Sequence, residues 1–199
     1  VAALPKTADD TPADDPSVPR IAVIGRPNAG KSSLVNRLLG EDRMMVDPRA
    51  GTTRDAIDSR FERGGKPFVI VDTAGIRRKA KVAKEGSTVE AVSVLQALRA
   101  VERCHVTVLV CDAAEGVAEQ DAKVLGLAVD RGRGVVIALN KIDLLDAAAK
   151  KKLEENARDK LSFVPWAKVV PISAKTGRGV DTLLATVSET HAAFHKRVG

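Results

Sequence analysis

The stretch Gly25-Arg26-Pro27-Asn28-Ala29-Gly30-Lys31-Ser32 constrains the chain more than any other. It satisfies G-x-x-x-x-G-K-[ST] at every fixed position, a pattern whose chance occurrence in 199 residues is about a one-in-a-hundred event. Its surroundings are those the pattern needs. Arg20 to Ile24 reads as a short buried strand, and Ser33 to Leu39 as an apolar-faced helix stopped by Gly40. Glycines at 25 and 30 let the backbone turn tightly, so that the N–H groups of this loop, through Ala29 and on to Ser33, converge on phosphate oxygens. The helix N-terminus adds its positive end. Lys31 is placed to reach the outer phosphates, and the Ser32 hydroxyl to ligate Mg²⁺.

The remaining chain alternates strand and helix signals. Ala56 to Phe61 alternates in polarity, Gly64-Gly65 marks a hairpin turn, and Pro67 to Val71 is a buried run. That run delivers Asp72-Thr73-Ala74-Gly75. An aspartate at a strand tip opposite the glycine loop suits Mg²⁺, and the Gly75 N–H suits a γ-phosphate. Thr88 to Arg103 carries Val89, Val92, Leu95, Leu98 and Val101 at helical spacing. Val106 to Asp112 is a central strand, Glu119 to Arg131 a helix, and Val135 to Leu139 a strand ending in Asn140-Lys141-Ile142-Asp143. A carboxylate at 143 accepts from both N1–H and the 2-amino group of guanine. Adenine offers neither, so it would leave that charge poorly paired. Asn140 is expected to tie the base and neighbouring loops and the stem of Lys141 to cover the purine. Ala147 to Leu161 is a charged helix and Lys168 to Ile172 a strand. Ser173-Ala174-Lys175 follows, where the Ala174 N–H suits guanine O6. Val180 to Arg197 closes the chain as a helix.

These signals predict an α/β fold: a mostly parallel six-stranded sheet with one antiparallel edge strand, helices on both faces, and ligands at the carboxyl ends of the strands. Glu41 to Arg54 reads as a loop closing over the nucleotide. Its end, Gly51-Thr52-Thr53-Arg54-Asp55, offers two hydroxyls for Mg²⁺, with Thr53 preferred over Thr52. The basic run Ile76-Arg77-Arg78-Lys79-Ala80-Lys81 is either a solvated loop or a switch that touches RNA or a partner.

Composition narrows the class further. Hydrophobic content of 44% and charged content of 29% are ordinary for a globular chain, and no apolar run is long enough for a membrane span. Residues 1–19 hold four prolines, with four aspartates against one lysine. Their net charge of −3 leaves +9 of the overall +6 on residues 20–199. The first segment reads as a flexible acidic linker and the body as one domain whose positive charge suits an acidic partner such as RNA. Cys104 and Cys111 flank or lie within an apolar run and read as buried thiols of a reducing, cytoplasmic compartment. His105, His191 and His195 lack ligand spacing and read as structural. Trp166 reads as a surface-packing anchor.

With these motifs in order, the chain resembles a Ras-like GTPase of the TrmE–Era–EngA group, and most closely the second G domain of the Der (EngA) family of bacterial ribosome-assembly GTPases. The resemblance covers about residues 20–197 and rests on the motifs above together with Ile76-Arg77-Arg78-Lys79, Ala97-Leu98-Arg99-Ala100-Val101-Glu102-Arg103 and Ile172-Ser173-Ala174-Lys175-Thr176-Gly177-Arg178-Gly179. It departs at Ala91-Val92, near which the family often carries an aromatic, and at Gln96, where it often carries an arginine. The resemblance implies GTP hydrolysis to GDP, action with the large ribosomal subunit or its rRNA, and a fragment of a protein with another G domain before this one and a KH-like domain after it. It also implies a K⁺ ion held by Asn28 and the switch backbone from Asp47 to Thr52. That ion would stand in for the water-orienting glutamine of Ras-type enzymes, whose position is Ile76 here. Asn28 as a plain turn residue is the other reading. A guanine-nucleotide sensor with negligible turnover, or the G domain of a related tRNA-modification GTPase, are the alternatives.

Overall fold

The computed structural model describes residues 15–40, 58–73 and 90–194. Most of the acidic linker, the loop with Asp47, Thr52 and Thr53, the segment from Ala74 through Gly75 and the basic run, and His195 lie outside these residues.

Six strands form one sheet in the order β2-β3-β1-β4-β5-β6. They are β1 (Arg20–Ile24), β2 (Ser59–Arg63), β3 (Lys66–Ile70), β4 (Val106–Asp112), β5 (Gly134–Asn140) and β6 (Lys168–Pro171). Only β2 runs antiparallel, joined to β3 by Gly64-Gly65. Both glycines have positive φ, 59° and 72°, the requirement of a two-residue turn whose twist matches its strands. Among the described residues the α-helices are α1 (Lys31–Gly40), α2 (Glu90–Arg103), α3 (Glu119–Asp130), α4 (Ala147–Lys160) and α5 (Val180–Phe194). The predicted fold class therefore holds, with α1 starting two residues earlier than the apolar pattern implied.

Strand β4 is buried along its whole length, as a strand covered on both faces must be. Its side chains alternate between two cores. Val106, Val108 and Val110 join Val136 and Ala138 of β5 beneath Leu34, Val35 and Leu38 of α1 and Val180, Leu183 and Val187 of α5. Leu109 and Cys111 face the other way, with Val135, Ile137 and Leu139 of β5, Leu125 and Ala128 of α3, and Leu153 and Ala157 of α4. The α5 positions recur at i, i+3, i+4 and i+7, the stripe that lies on a sheet. Both cysteines are free and buried. His105 and His191 pack ring to ring at 4.9 Å at the end of the sheet where β4 begins. Trp166 does not anchor the surface as expected: it is 65% exposed. No helix among the described residues is long and apolar enough to cross a membrane.

Register decides what meets at the sheet's upper edge. β4 and β5 pair in step from Val106–Gly134 to Asp112–Asn140, so the last residues of both strands finish side by side. The loops after β1, β3, β4, β5 and β6 all leave from carboxyl ends of parallel strands, where open α/β sheets hold ligands.

Candidate nucleotide-binding site

Among the described residues, only three non-glycines adopt a left-handed backbone: Asn28 (φ 62°), Asp72 (φ 54°) and Lys141 (φ 71°). Each lies in a different one of the predicted motifs. Such conformations cost on the order of 1–3 kcal/mol each and persist where surrounding structure enforces them. Asparagine and aspartate tolerate this region better than lysine does, so Asn28 has a backbone reason to be asparagine apart from any ion.

The phosphate loop is built by close approach. A Cβ at Gly25 would sit 2.2 Å from the Val110 carbonyl oxygen, and one at Gly30 would sit 2.1 Å from Asn140 Nδ2. Both glycines also have positive φ, 137° and 96°. The loop thus lies flat against β4 and β5. Ala29 is buried and Ser33 exposed, with Lys31 and Ser32 half-buried at the head of α1. Lys31 Nζ donates to the Arg26 carbonyl across the loop. Arg26 itself is turned away from the loop's concavity. It donates to Asp121 Oδ2 at 2.9 Å, to the Gly116 carbonyl at 3.1 Å, and pairs with Glu115 at 2.9 Å. Asp121 is 1% exposed in the first turn of α3 and also accepts from the Ala118 N–H.

Asn140 is 2% exposed and joins two loops. Its Nδ2 donates to the Ala29 carbonyl at 2.8 Å, and its Oδ1 accepts from the Ala174 N–H at 2.9 Å. The tie between loops foreseen from sequence is therefore present, through both ends of the Asn140 amide. It also means that the Ala174 N–H, expected to serve guanine O6, already carries a bond inside the protein. Ser173 is a further departure. It is fully buried, and its hydroxyl accepts from the Thr176 N–H, so it braces the loop rather than facing a base. Lys175 is exposed beside it, and Asp143 is exposed on the 3₁₀ turn Ile142–Leu144.

Lys141 follows Asn140 and therefore meets Asp112 at the end of the neighbouring strand, Nζ to Oδ2 at 2.6 Å. Burial pushes the Asp112 carboxyl up, but the Lys141 bond and the Ala114 N–H outweigh it and hold the group below the ordinary range. The pair pins Lys141 in its strained backbone.

Asp72 leaves β3 beside β1, and its N–H is accepted by Asp58 Oδ1 at 3.1 Å. Asp58 Oδ2 takes Arg20 at 2.7 Å and Arg103 at 2.8 Å. Next to this hub, the Ser59 and Thr73 hydroxyls lie 2.9 Å apart. The start of β2 is thereby fastened to the tip of β3. Sequence reasoning missed Asp58, Asp112, Asp121 and Arg37, the last of which holds the Ala174 and Lys175 carbonyls. The partners that bring them to the site are 14 to 138 residues away in the chain, beyond any local pattern.

A sheet of this order, with a glycine loop at the head of α1 and base-recognition motifs after β5 and β6, defines a P-loop GTPase domain. A family model described as elongation factor Tu GTP binding domain matches residues 94–193, the half that holds the base motifs. The chain belongs to the 50S ribosome-binding GTPase family, whose model matches residues 20–141, and within it is a G domain of the Der (EngA) kind. It is 46% identical over 181 residues to GTPase Der of Caldanaerobacter subterraneus subsp. tengcongensis, and 46% identical over 186 residues to that of Polynucleobacter asymbioticus. The matches take in 90% and 93% of this chain but 40% of each relative, so the chain spans about two-fifths of the length of these curated relatives. Among solved structures, Aquifex aeolicus Era bound to GDP.AlF4- is 27% identical with a TM-score of 0.63, over 87% of this chain and 56% of that one. Translation elongation factor SelB from Methanococcus maripaludis shares the fold, with a TM-score of 0.67 at 19% identity over 92% of this chain and 35% of that one.

Proposed function

We propose that this domain binds GTP in preference to ATP and hydrolyses it to GDP, as the switch of a longer protein that acts on the large ribosomal subunit. The observation that carries the reading is the Asn140 bridge, which fixes the phosphate loop and the Ala174 loop at one separation while Asp143 lies exposed beside them. A nucleotide spanning that separation meets a phosphate cradle at one end and a carboxylate for N1–H and the 2-amino group at the other. Backbone N–H groups of Asn28 to Ser33 hold the phosphates, Lys31 neutralises them, and Lys141 covers the base.

Ser32 and Asp72 suit Mg²⁺. Ser32 stands at the head of α1, after the loop that follows β1, and Asp72 just past the end of the adjacent β3; both offer oxygen, and Mg²⁺ takes few protein ligands when phosphates and water complete its shell. When bound, the ion offsets charge developing on the phosphate oxygens. Thr53 is proposed as the switch ligand and Gly75 as the γ-phosphate sensor. Asn28, with the backbone of Asp47 and Thr52, is proposed for K⁺.

A second reading has a specific observation in its favour. Ile76 cannot orient water, and Arg26 is consumed by Asp121, Glu115 and Gly116, so the phosphate loop offers no arginine for the transition state. That supports a nucleotide sensor whose turnover waits for a partner. The two readings separate in one experiment. GTP turnover is measured in KCl and in NaCl at equal ionic strength with Mg²⁺. Faster turnover in KCl supports a self-sufficient, K⁺-assisted GTPase; equal rates keep the enzyme and discard the K⁺ site; bound GTP without turnover leaves the sensor. Base choice is tested by Asp143→Asn, which should weaken GDP binding and admit xanthosine diphosphate. Unchanged selectivity would refute the role of Asp143.

A further inference from the structure

The phosphate-loop helix and the loop after β6 are joined a second time, independently of Asn140. Arg37, two turns into α1, donates through Nε to the Ala174 carbonyl and through a terminal nitrogen to the Lys175 carbonyl. A guanidinium presents its donors as a rigid planar fork, so holding two consecutive carbonyls fixes both the position and the tilt of the peptides between them. The loop is shaped to receive it. Gly177 lies in the left-handed region with φ 85°, and a Cβ there would come within 3.1 Å of an Arg37 terminal nitrogen. With the Asn140 bonds, a closed ring results: from α1 through Arg37 to Ala174, from the Ala174 N–H to Asn140, from Asn140 to the Ala29 carbonyl, and along the phosphate loop back to α1.

We infer that Arg37 is a positioning residue for base selection: it sets the Ala174–Lys175 peptide so that the Lys175 N–H meets the O6 edge of guanine. The inference rests on the reading of the site as a guanine-nucleotide site. Two physical consequences give it content. The Ala174 carbonyl shares its peptide unit with the Lys175 N–H, so a cation on that oxygen polarises this N–H into a stronger donor. The Ala174 N–H already serves Asn140 Oδ1, which makes the Lys175 N–H the donor of that loop best placed to gain from Arg37. Arg37 holds the loop after β6, whereas Asp143 stands on the turn after β5, so the influence of Arg37 should be confined to O6.

The test compares three probes by calorimetry on the parent chain, Arg37→Ala and Arg37→Lys. GDP carries the whole guanine edge. 6-Thioguanosine diphosphate replaces O6 by sulfur and retains N1–H and the 2-amino group. Inosine diphosphate retains O6 and N1–H and lacks the 2-amino group. In Arg37→Ala, GDP should bind about tenfold more weakly, the equivalent of one charge-assisted hydrogen bond. The penalty for sulfur at position 6 should shrink severalfold, while the penalty for losing the 2-amino group stays as in the parent. Arg37→Lys retains the charge without the fork and should fall between, and it serves alone if the alanine variant does not fold.

A parallel loss for all three probes would overturn the inference, since a general weakening of the domain does that. Unchanged GDP affinity would overturn it equally. If the parent binds ADP as well as GDP, the guanine reading itself fails, and the inference with it; that outcome is visible before any variant is made.

Discussion

Replacing Asn140 with alanine removes in one step both bonds that close the site from the β5 side. Truncation orphans the Ala29 carbonyl and the Ala174 N–H, on residues only 3% and 4% exposed. A buried backbone group left without a partner costs about 1–3 kcal/mol, so the pair costs about 2–6 kcal/mol. The vacated space has polar walls, and a water entering it would restore part of each bond, which places the expected loss at about 2–4 kcal/mol. Against a domain stability on the order of 5–15 kcal/mol this is a large fraction. Urea unfolding without nucleotide reads it directly. With a slope of about 2 kcal/mol/M, the midpoint should fall by about 1–2 M with the slope unchanged. Asn140→Asp separates the two bonds. It keeps the acceptor for the Ala174 N–H but sets an oxygen against the Ala29 carbonyl, and should be no more stable than the alanine variant at neutral pH. A loss below about 1 kcal/mol for Asn140→Ala at unchanged slope would mean that the ring does not hold the loops together.

Arg26→Ala should leave the buried Asp121 carboxylate with one N–H donor and destabilise the fold by about 3–5 kcal/mol, whereas Asp121→Asn should be milder; equal small effects in urea unfolding would refute the pairing. The Asp112 carboxyl is held below its ordinary value, so its contribution is present above the unfolded-state pKa of about 3.9 and drains as pH falls through the lower folded value. The stability gap between parent and Asp112→Asn should therefore be constant from about pH 5 to 7 and narrow below about pH 4; a gap that widens in acid would contradict the sign. Burial pushes both thiols, Cys104 and Cys111, above the ordinary cysteine range. Neither should react with a disulfide reagent at pH 8 until the protein is unfolded, and rapid native labelling would show that these side chains are accessible.

Local pattern was enough for most of the elements. The run Val106 to Cys111, apolar at every position but Thr107, announced a strand covered on both faces, because such a strand has no side that must stay polar. Gly64-Gly65 announced the one antiparallel pairing, because both turn positions need positive φ. The glycine loop and the Asn140 to Asp143 motif were legible for the same reason: their chemistry is carried by residues within eight positions of one another, and the strand that precedes each tells where they end up.

What the tertiary structure decided is how those motifs are held. Asp112 became the partner of Lys141 only because β4 and β5 pair in step to their ends. Arg26, read as one more loop residue, is bound to Asp121, 95 residues on, and thereby withdrawn from the phosphates. Arg37 lies on α1 without a local signal and grips carbonyls 137 and 138 residues away. Ser173 sat in the right motif and is folded inward as a brace. Propensity and periodicity act over a few residues and specify which elements form. The partner of a charged side chain depends on strand order and register, which the whole sheet selects by burying two cores at once.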